Sequence, residues 1–434
     1  MPLVYPRPTS APGAPATASN ASHRSRRRFL QSGAALAGAL AAAPAALAQS
    51  WRNDGWCATW GCAPAGPPPA ASLLNFSGQT LRLVVRASIG GTRVRVRLSN
   101  EMGSTPLTIG AAQIGLRNSG AYVIAGSNLP LTFGGRSAVT IRPGAPVVSD
   151  PVFMAVPAFT DLAISLYLPG NVAATTYHRD AWQAGYVSTA GNFAANTSFT
   201  VSRTIASWPF LTEVDVGGGA GCVVAIGDSI TDGQGSSTNL NRRWPDYLAR
   251  RLQAELGAAG RIGVVNRGIA GNQLLEDIPT AMQGGHDVLE RFDRDVLATP
   301  GVRAVIVFSG INDIVYSSGA NLVQIDELVA GYRQLIARAH ARGVAILGAT
   351  LPPMEGFVYY NAAREGVRQG VNSWLRSANE FDTLLDWDMV LRDPDNHRRL
   401  RSAYNSRDWL HPNDLGYEAM AEAVPLGELL SLVT

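Results

Sequence analysis

The chain has no lysine at all, so its 36 basic side chains are all arginine; this is a compositional trait to which no mechanism attaches. It also lacks any long run of like charge and any short-period repeat, which argues against a charged interaction tail or a solenoid. Charge is sparse, at 16% of residues, and the formal excess of +3 is misplaced for nucleic-acid binding. Arg7, Arg24, Arg26, Arg27 and Arg28 all lie in residues 1–48, which contain no acid. Without them the balance turns slightly negative, so the remainder carries no basic footprint for a nucleic acid. Cysteine is limited to Cys57, Cys62 and Cys222, and no Cys, His and carboxylate group has metal-ligand spacing. Neither a metal nor another cofactor is expected. What is abundant is apolar: 46% of 434 residues is enough for two or more domains with sizeable cores.

Ser25-Arg26-Arg27-Arg28-Phe29-Leu30 precedes an Ala/Gly-rich run that ends in Ala46-Leu47-Ala48. This stretch resembles a twin-arginine export signal with an A-x-A cleavage site. It predicts cleavage after Ala48 and a periplasmic or secreted protein with no stable membrane anchor, since the run is shorter than the roughly 20 residues that span a bilayer. Disulfides persist in that compartment. Cys57 and Cys62, in C-A-T-W-G-C, are near enough to bridge if the segment between them turns, and a free pair is the alternative. Cys222 reads as a core filler.

From 49 to 215 the pattern is β-like. In Arg93-Val94-Arg95-Val96-Arg97-Leu98 apolar residues alternate with arginines, as in a strand with one face in a core and one in water. Further short strands at Leu81–Ala87, Ala138–Ile141 and Leu162–Leu168, separated by Gly/Pro turns, suggest an all-β sandwich or jelly roll. His178 and Arg179 are isolated here and read as structural. Gly217-Gly218-Gly219-Ala220-Gly221 then reads as a joint, and from 216 to 434 strands and helices alternate. The strands fall at Val223–Ile226, Ile262–Val265, Ala304–Phe308, Ala345–Thr350 and Thr383–Asp386. Helices fall at about Arg243–Leu256, Ile325–Arg342 and Asn361–Ala378. This order predicts a parallel sheet with helices on both faces.

The first three of these strands each end in a polar motif: Gly227-Asp228-Ser229, then Asn266 to Asn272 with Gly271 inside it, then Gly310-Ile311-Asn312-Asp313. Right-handed crossovers bring such strand ends to one edge of the sheet. Asp408-Trp409-Leu410-His411 lies before the last helix. A serine hydroxyl needs a histidine to remove its proton, and the histidine needs a carboxylate to fix its tautomer. Ser229, His411 and Asp408 fit those roles. Donors for an oxyanion fit the N–H of Ser229, the N–H of Gly271 and the side chain of Asn312. The Gly-x-Ser-x-Gly elbow is absent, because position 231 is threonine.

Gly227-Asp228-Ser229, Gly271, Gly310-x-Asn312-Asp313 and Asp408-x-x-His411 together resemble the four blocks of the SGNH (GDSL-type) hydrolase superfamily, over about residues 216–434. The resemblance implies a flavodoxin-like three-layer α/β/α domain. It also implies ester hydrolysis through an acyl-serine, with Ser229 as nucleophile, His411 as base, Asp408 as its orienter and Ser229, Gly271 and Asn312 as the oxyanion hole. Arg86 to Asn100 resembles exported bacterial members with an added amino-terminal β domain, some of which act on plant polysaccharides.

The substrates this implies are acetylated carbohydrates or small aryl and short-chain acyl esters, with possible glycan contact through the β domain. A lipase or lysophospholipase is the competing enzyme, and a non-catalytic glycan-binding protein the competing class. Pro352 to Tyr360 offers aromatic and apolar surface to an acyl chain or a sugar ring. Arg398, Arg399 and Arg401 are candidates to meet an anionic group.

Overall fold

The structure, a computed structural model, describes residues 55–257, 261–278 and 283–433. The export-signal stretch, residues 1–48, lies outside them. Residues Asp54–Thr434 form one compact unit. Among the described residues no helix is long and apolar enough to cross a membrane.

The amino-terminal region contains two large antiparallel sheets and two two-stranded ones among the described residues. One large sheet runs in the order Trp56–Gly61, Leu211–Gly217, Gly91–Ser99, Pro146–Val148, with Val152–Val156 also paired to Gly91–Ser99. The other has six strands centred on the long pair Asn75–Arg86 and Asp161–Ala173. The alternation in Gly91–Ser99 sends Val94, Val96 and Leu98 into the core, as expected. Its arginine face is only partly in water, however. Arg95 and Arg97 sit opposite Asp215 and Glu213 in the neighbouring strand and pair with them at 2.8 and 3.1 Å. Cross-strand opposites of unlike charge stabilise such a face. Cys57 and Cys62 are buried free thiols. The segment between them is the extended strand Trp56–Gly61, and a strand rising about 3.3 Å per residue holds their Cα atoms far beyond disulfide reach.

The second region is built on a parallel sheet of β1 (Gly221–Gly227), β2 (Ile262–Gly268), β3 (Val302–Phe308), β4 (Ala345–Ala349) and β5 (Thr383–Leu385). Their spatial order is β2-β1-β3-β4-β5, the flavodoxin-like order with its switch point beside the first strand. The helices are α1 (Ser229–Asp232), α2 (Trp244–Leu256), α3 (Val288–Phe292), α4 (Ile311–Tyr316), α5 (Ile325–His340), α6 (Ala362–Ser377), α7 (Trp387–Leu391), α8 (Asp414–Glu422) and α9 (Leu426–Val433). Successive β1 side chains point to opposite faces, and both faces are covered. Val223 and Ala225 meet Trp244, Leu248, Tyr417 and Met420, while Val224 and Ile226 belong to the core that holds Phe292, Leu328, Tyr332 and Leu335. Full burial of each such aliphatic side chain contributes about 1.5–3 kcal/mol, which explains why this strand has no polar alternation.

The crossing between the two regions is residues 218–220, and it is tightly held. Gly218 N–H donates to Gly55 O and Ala220 N–H to Arg261 O, both at 2.8 Å. A Cβ on Gly219 would lie 2.3 Å from that of Cys57. The β region also covers the edge strand β2: Val264 N–H donates to Ser88 Oγ at 3.0 Å, and a Cβ on Gly263 would strike Ala58 O at 2.2 Å. An open sheet edge is thereby closed.

Candidate active site

The turn after β1 begins at Gly227, where a Cβ would come within 2.1 Å of Phe308 O. Glycine is what lets β1 end against β3 so closely. Asp228 caps α1, accepting from Ile230 N–H at 3.0 Å. Burial pushes its carboxyl up to about 7, despite that N–H and the nearby charge of His411. Ser229 is thereby the first residue of the helix, at the carboxyl end of the central strand, and is nearly buried.

The loop before α8 delivers the partners. The Asn405 side-chain oxygen accepts from the N–H groups of Arg407 and Trp409 at 3.0 and 2.9 Å, and both of those residues adopt positive φ, 98° and 65°. Backbone of that kind is costly for non-glycine residues and persists where surrounding bonds enforce it. Here it folds Asp408 back on His411. Asp408 Oδ1 accepts from the N–H groups of Leu410 and His411 at 3.0 and 2.9 Å, and Oδ2 lies 2.5 Å from His411 Nδ1. His411 Nε2 lies 2.8 Å from Ser229 Oγ. With its proton on Nδ1 facing the carboxylate, the imidazole presents a lone pair to the serine hydroxyl. Burial pushes the Asp408 carboxyl up, but the bond to His411, its charge and the two N–H donors outweigh this and hold it at about 2. Asp408 is therefore ionised at neutral pH.

Gly271 and Asn312 frame the other side. Gly271 has φ 84°, and its N–H has no acceptor among the described residues. Asn312 follows Gly310 (φ 122°) into α4 and donates one amide hydrogen to Asn272 O at 2.9 Å, leaving a second. Asp313 holds the same loop from the other side, accepting from Leu274 and Leu275 N–H at 2.8 and 3.0 Å. All five residues singled out in the sequence thus lie on elements that converge at the carboxyl edge of the sheet.

Arg291 gave no signal in the sequence. It is wholly buried on α3 and donates to Gly227 O (2.9 Å), Arg267 O (2.7 Å), Asn272 Oδ1 (3.0 and 2.8 Å) and Asp295 (3.0 Å). One guanidinium therefore ties the ends of β1 and β2 to the loop that bears Gly271. Burial pushes its pKa down to about 10, with Asp295 opposing. The candidate anion-binding arginines are engaged elsewhere. Arg398 pairs with Glu355 at 2.9 Å, and Arg399 and Arg401 lie over the rings of Trp409 and Tyr404. Asp277, His286 and Glu290 place potential ligand atoms within 4.8 Å of one another, a grouping their sequence spacing did not suggest. None of the three is hydrogen-bonded to Ser229, His411 or Asp408.

Residues 225–419 match the GDSL-like lipase/acylhydrolase family. No curated protein matches the chain significantly. Among solved structures the chain is similar to a G-D-S-L family protein from Desulfitobacterium hafniense, at 26% identity over 46% of this chain and 96% of that one, with a TM-score of 0.36. It is also similar to an acetyl xylan esterase from Geobacillus stearothermophilus (25% identity, 49% and 95% covered, TM-score 0.37). A GDSL-like lipase from Bacteroides thetaiotaomicron is a third (18% identity, 49% and 90% covered, TM-score 0.35). Residues 225–419 of this chain are accordingly similar to domains of the GDSL-like lipase/acylhydrolase family.

Proposed function

We propose that the protein is a carboxylic-ester hydrolase that works through an acyl-serine intermediate. The observation that carries this reading is the unbroken chain Ser229 Oγ, His411, Asp408, with 2.8 and 2.5 Å between successive partners. As Ser229 Oγ attacks the ester carbonyl, its proton passes to His411 Nε2, and the carbonyl π pair becomes an oxyanion facing Ser229 N–H, Gly271 N–H and Asn312 Nδ2. Collapse expels the alkoxide, which takes the proton from His411. Water then repeats the sequence on the acyl-serine, releasing the acid and restoring the Ser229 hydroxyl.

Its surroundings favour a hydroxylated substrate over a long acyl chain. An aromatic arc leads from His411 to Phe357 (ring centroids 6.5 Å apart), Tyr359 (5.6 Å) and Tyr316 (6.1 Å). Tyr316 ends beside Gly271, its hydroxyl 3.9 Å from where a Cβ would stand. Tyr316 and Tyr359 are exposed, and rings of this kind pair an apolar face with a polar tip. Beyond Tyr316 and Asp313 lies a cleft of 550 Å³ lined by Gln273, Asn321 and Gln324 together with Leu275, Leu322 and Val323. On the Asp408 side a 460 Å³ cleft is lined by Gln234, Asn405, Ser406 and Asn413. Amides and hydroxyls at both ends suit an acetylated sugar or a small aryl ester, and the β region's glycan contact remains part of this proposal.

The test is hydrolysis of 4-nitrophenyl acetate beside acetate release from acetylated xylan, by wild type and Ser229→Ala. Turnover in the wild type that vanishes in Ser229→Ala, with an unchanged circular dichroism spectrum, is expected. Equal turnover in the two proteins would overturn the mechanism.

A further inference from the structure

A side chain of the β region, His178, is bonded to the helix that bears Ser229. His178 belongs to the short strand Tyr177–His178, which pairs with Trp208–Pro209. Its imidazole packs 5.5 Å from the Trp208 ring, and Trp208 is itself fixed by a bond from its indole N–H to Val84 O at 3.0 Å. His178 Nδ1 lies 2.9 Å from Ala63 O. A carbonyl can only accept, so Nδ1 carries a hydrogen and the orientation of the ring is settled. Nε2 is thereby aimed at Asp232 Oδ1, 3.0 Å away, and both residues are buried. Burial pushes His178 down, and the Asp232 carboxylate opposite outweighs that and holds it above its usual value.

Asp232 is the last residue of α1, three after Ser229, so the same helix carries both. Its other oxygen, Oδ2, accepts from Ala270 N–H at 3.1 Å. Its backbone presses on the same segment, since a Cβ on Gly268 would meet Asp232 N at 2.2 Å. Ala270 immediately precedes Gly271. The direction of the Gly271 N–H relative to Ser229 is therefore set by a relay in which one carboxylate bridges α1 and the loop, and His178 holds that carboxylate. Arg291 fixes the same loop at Asn272, one residue beyond Gly271, so Gly271 is clamped from both sides.

We propose that His178 is a positioning residue for the oxyanion hole, acting from the β region through Asp232 and Ala270 on the Gly271 N–H. This rests on the ester-hydrolase reading, and it assigns the β region a part in the chemistry. Without the imidazole, Asp232 is a buried carboxyl with one partner fewer, pushed further up by burial and free to leave Ala270. A donor misaimed by a fraction of an ångström loses stabilisation in the transition state, with no loss in ground-state binding.

The experiment uses the full chain as wild type, Ser229→Ala, His178→Ala, His178→Gln and Asp232→Ala, with kcat and KM on 4-nitrophenyl acetate and circular dichroism on each. Wild-type turnover abolished in Ser229→Ala establishes the ester-hydrolase reading, and its absence defeats that reading before His178 is at issue. Given turnover, His178→Ala is expected to lower kcat about 10–100-fold with KM changed less than about 3-fold, short of the about 10²–10³ for outright loss of a donor. His178→Gln, whose amide can donate to Asp232 from near the Nε2 position, is expected to recover most of it. A folded His178→Ala with wild-type kcat, or a glutamine variant no better than alanine, overturns the proposal. If His178→Ala does not fold, Asp232→Ala decides by the same split: a fall in kcat at constant KM supports the relay, and wild-type kcat overturns it.

Discussion

Replacing Asn312 with alanine separates catalysis from stability within one side chain. One amide hydrogen of Asn312 is committed to Asn272 O at 2.9 Å, and the other is the proposed oxyanion donor. Loss of one such donor typically removes about 2.7–4 kcal/mol of transition-state stabilisation, or about 10²–10³ in kcat. The committed bond adds a separate cost. Asn272 is fully buried, so its unpaired carbonyl destabilises the fold by about 1–3 kcal/mol. A chain whose total stability is about 5–15 kcal/mol remains folded after that loss. The expected outcome is a kcat on 4-nitrophenyl acetate lower by about 10²–10³, an unchanged KM, and a Tm only a few degrees lower. The assay is steady-state kinetics at a temperature well below the variant's own Tm, read beside calorimetry. A folded Asn312→Ala protein that loses less than about 10-fold in kcat, or that loses activity through KM, would refute the assignment of Asn312 as a donor to the oxyanion.

Arg291→Lys keeps the charge but gives up the planar fork that serves Gly227 O, Arg267 O and Asn272 Oδ1 together. Two buried acceptors left unpaired predict a loss of about 2–6 kcal/mol in urea unfolding, and a change below about 1 kcal/mol would contradict the clamp. Stability should also vary with pH in a set direction. Burial first of all raises Asp228 and Asp313 to about 7, so their contribution is full below the unfolded pKa near 4 and is lost as pH rises through 7. Asp408 and Asp295, held at about 2, contribute above about 4 and lose that contribution as pH falls through 2. Tm should therefore rise from pH 8 to pH 5 and fall below pH 4, and a steady decline between pH 8 and 5 would show that these burials are relieved. Export in a bacterial host is expected to yield a mature chain beginning at Gln49, which intact-mass measurement checks; a retained amino terminus would argue against cleavage after Ala48.

The parts of this fold that were legible in the sequence share one physical trait: their determinants are local. The unbroken apolar run at Val223–Ile226 announces a strand buried on both faces, and the structure gives Gly221–Gly227. The stripe Leu328, Tyr332, Leu335, Ile336, Ala339 announces one face of a helix, and all five are buried on Ile325–His340. The Asp408 to His411 spacing could be read because a three-residue turn lets a carboxylate bond the following N–H groups and the ring together. Short helices leave no such mark in the sequence. Val288–Phe292 and Ile311–Tyr316 span too few residues to establish a period, and their existence depends on what they pack against. Whether Cys57 and Cys62 bridge is left open by the sequence for the converse reason. Proximity in sequence counts only if the chain turns, and Cys57 to Cys62 runs along a strand.

The residues that the sequence could not reveal are those whose meaning is a meeting place. Arg291 has no motif because its acceptors are backbone carbonyls, which every sequence supplies; only the fold makes Gly227 O and Arg267 O converge with Asn272 on one buried guanidinium. His178 is similar, since its ring serves Asp232 across 54 residues of chain. A buried cation that satisfies several carbonyls is costly to desolvate, and so is a buried imidazole facing a carboxylate. Hydrophobic side chains of similar volume would hold the fold at least as well. What they would not do is fix the direction of particular N–H groups. Both buried polar side chains brace the single loop that bears Gly271, one on each side of it, and that placement argues that their desolvation is offset by the preorganisation of a site that must stabilise charge as it forms.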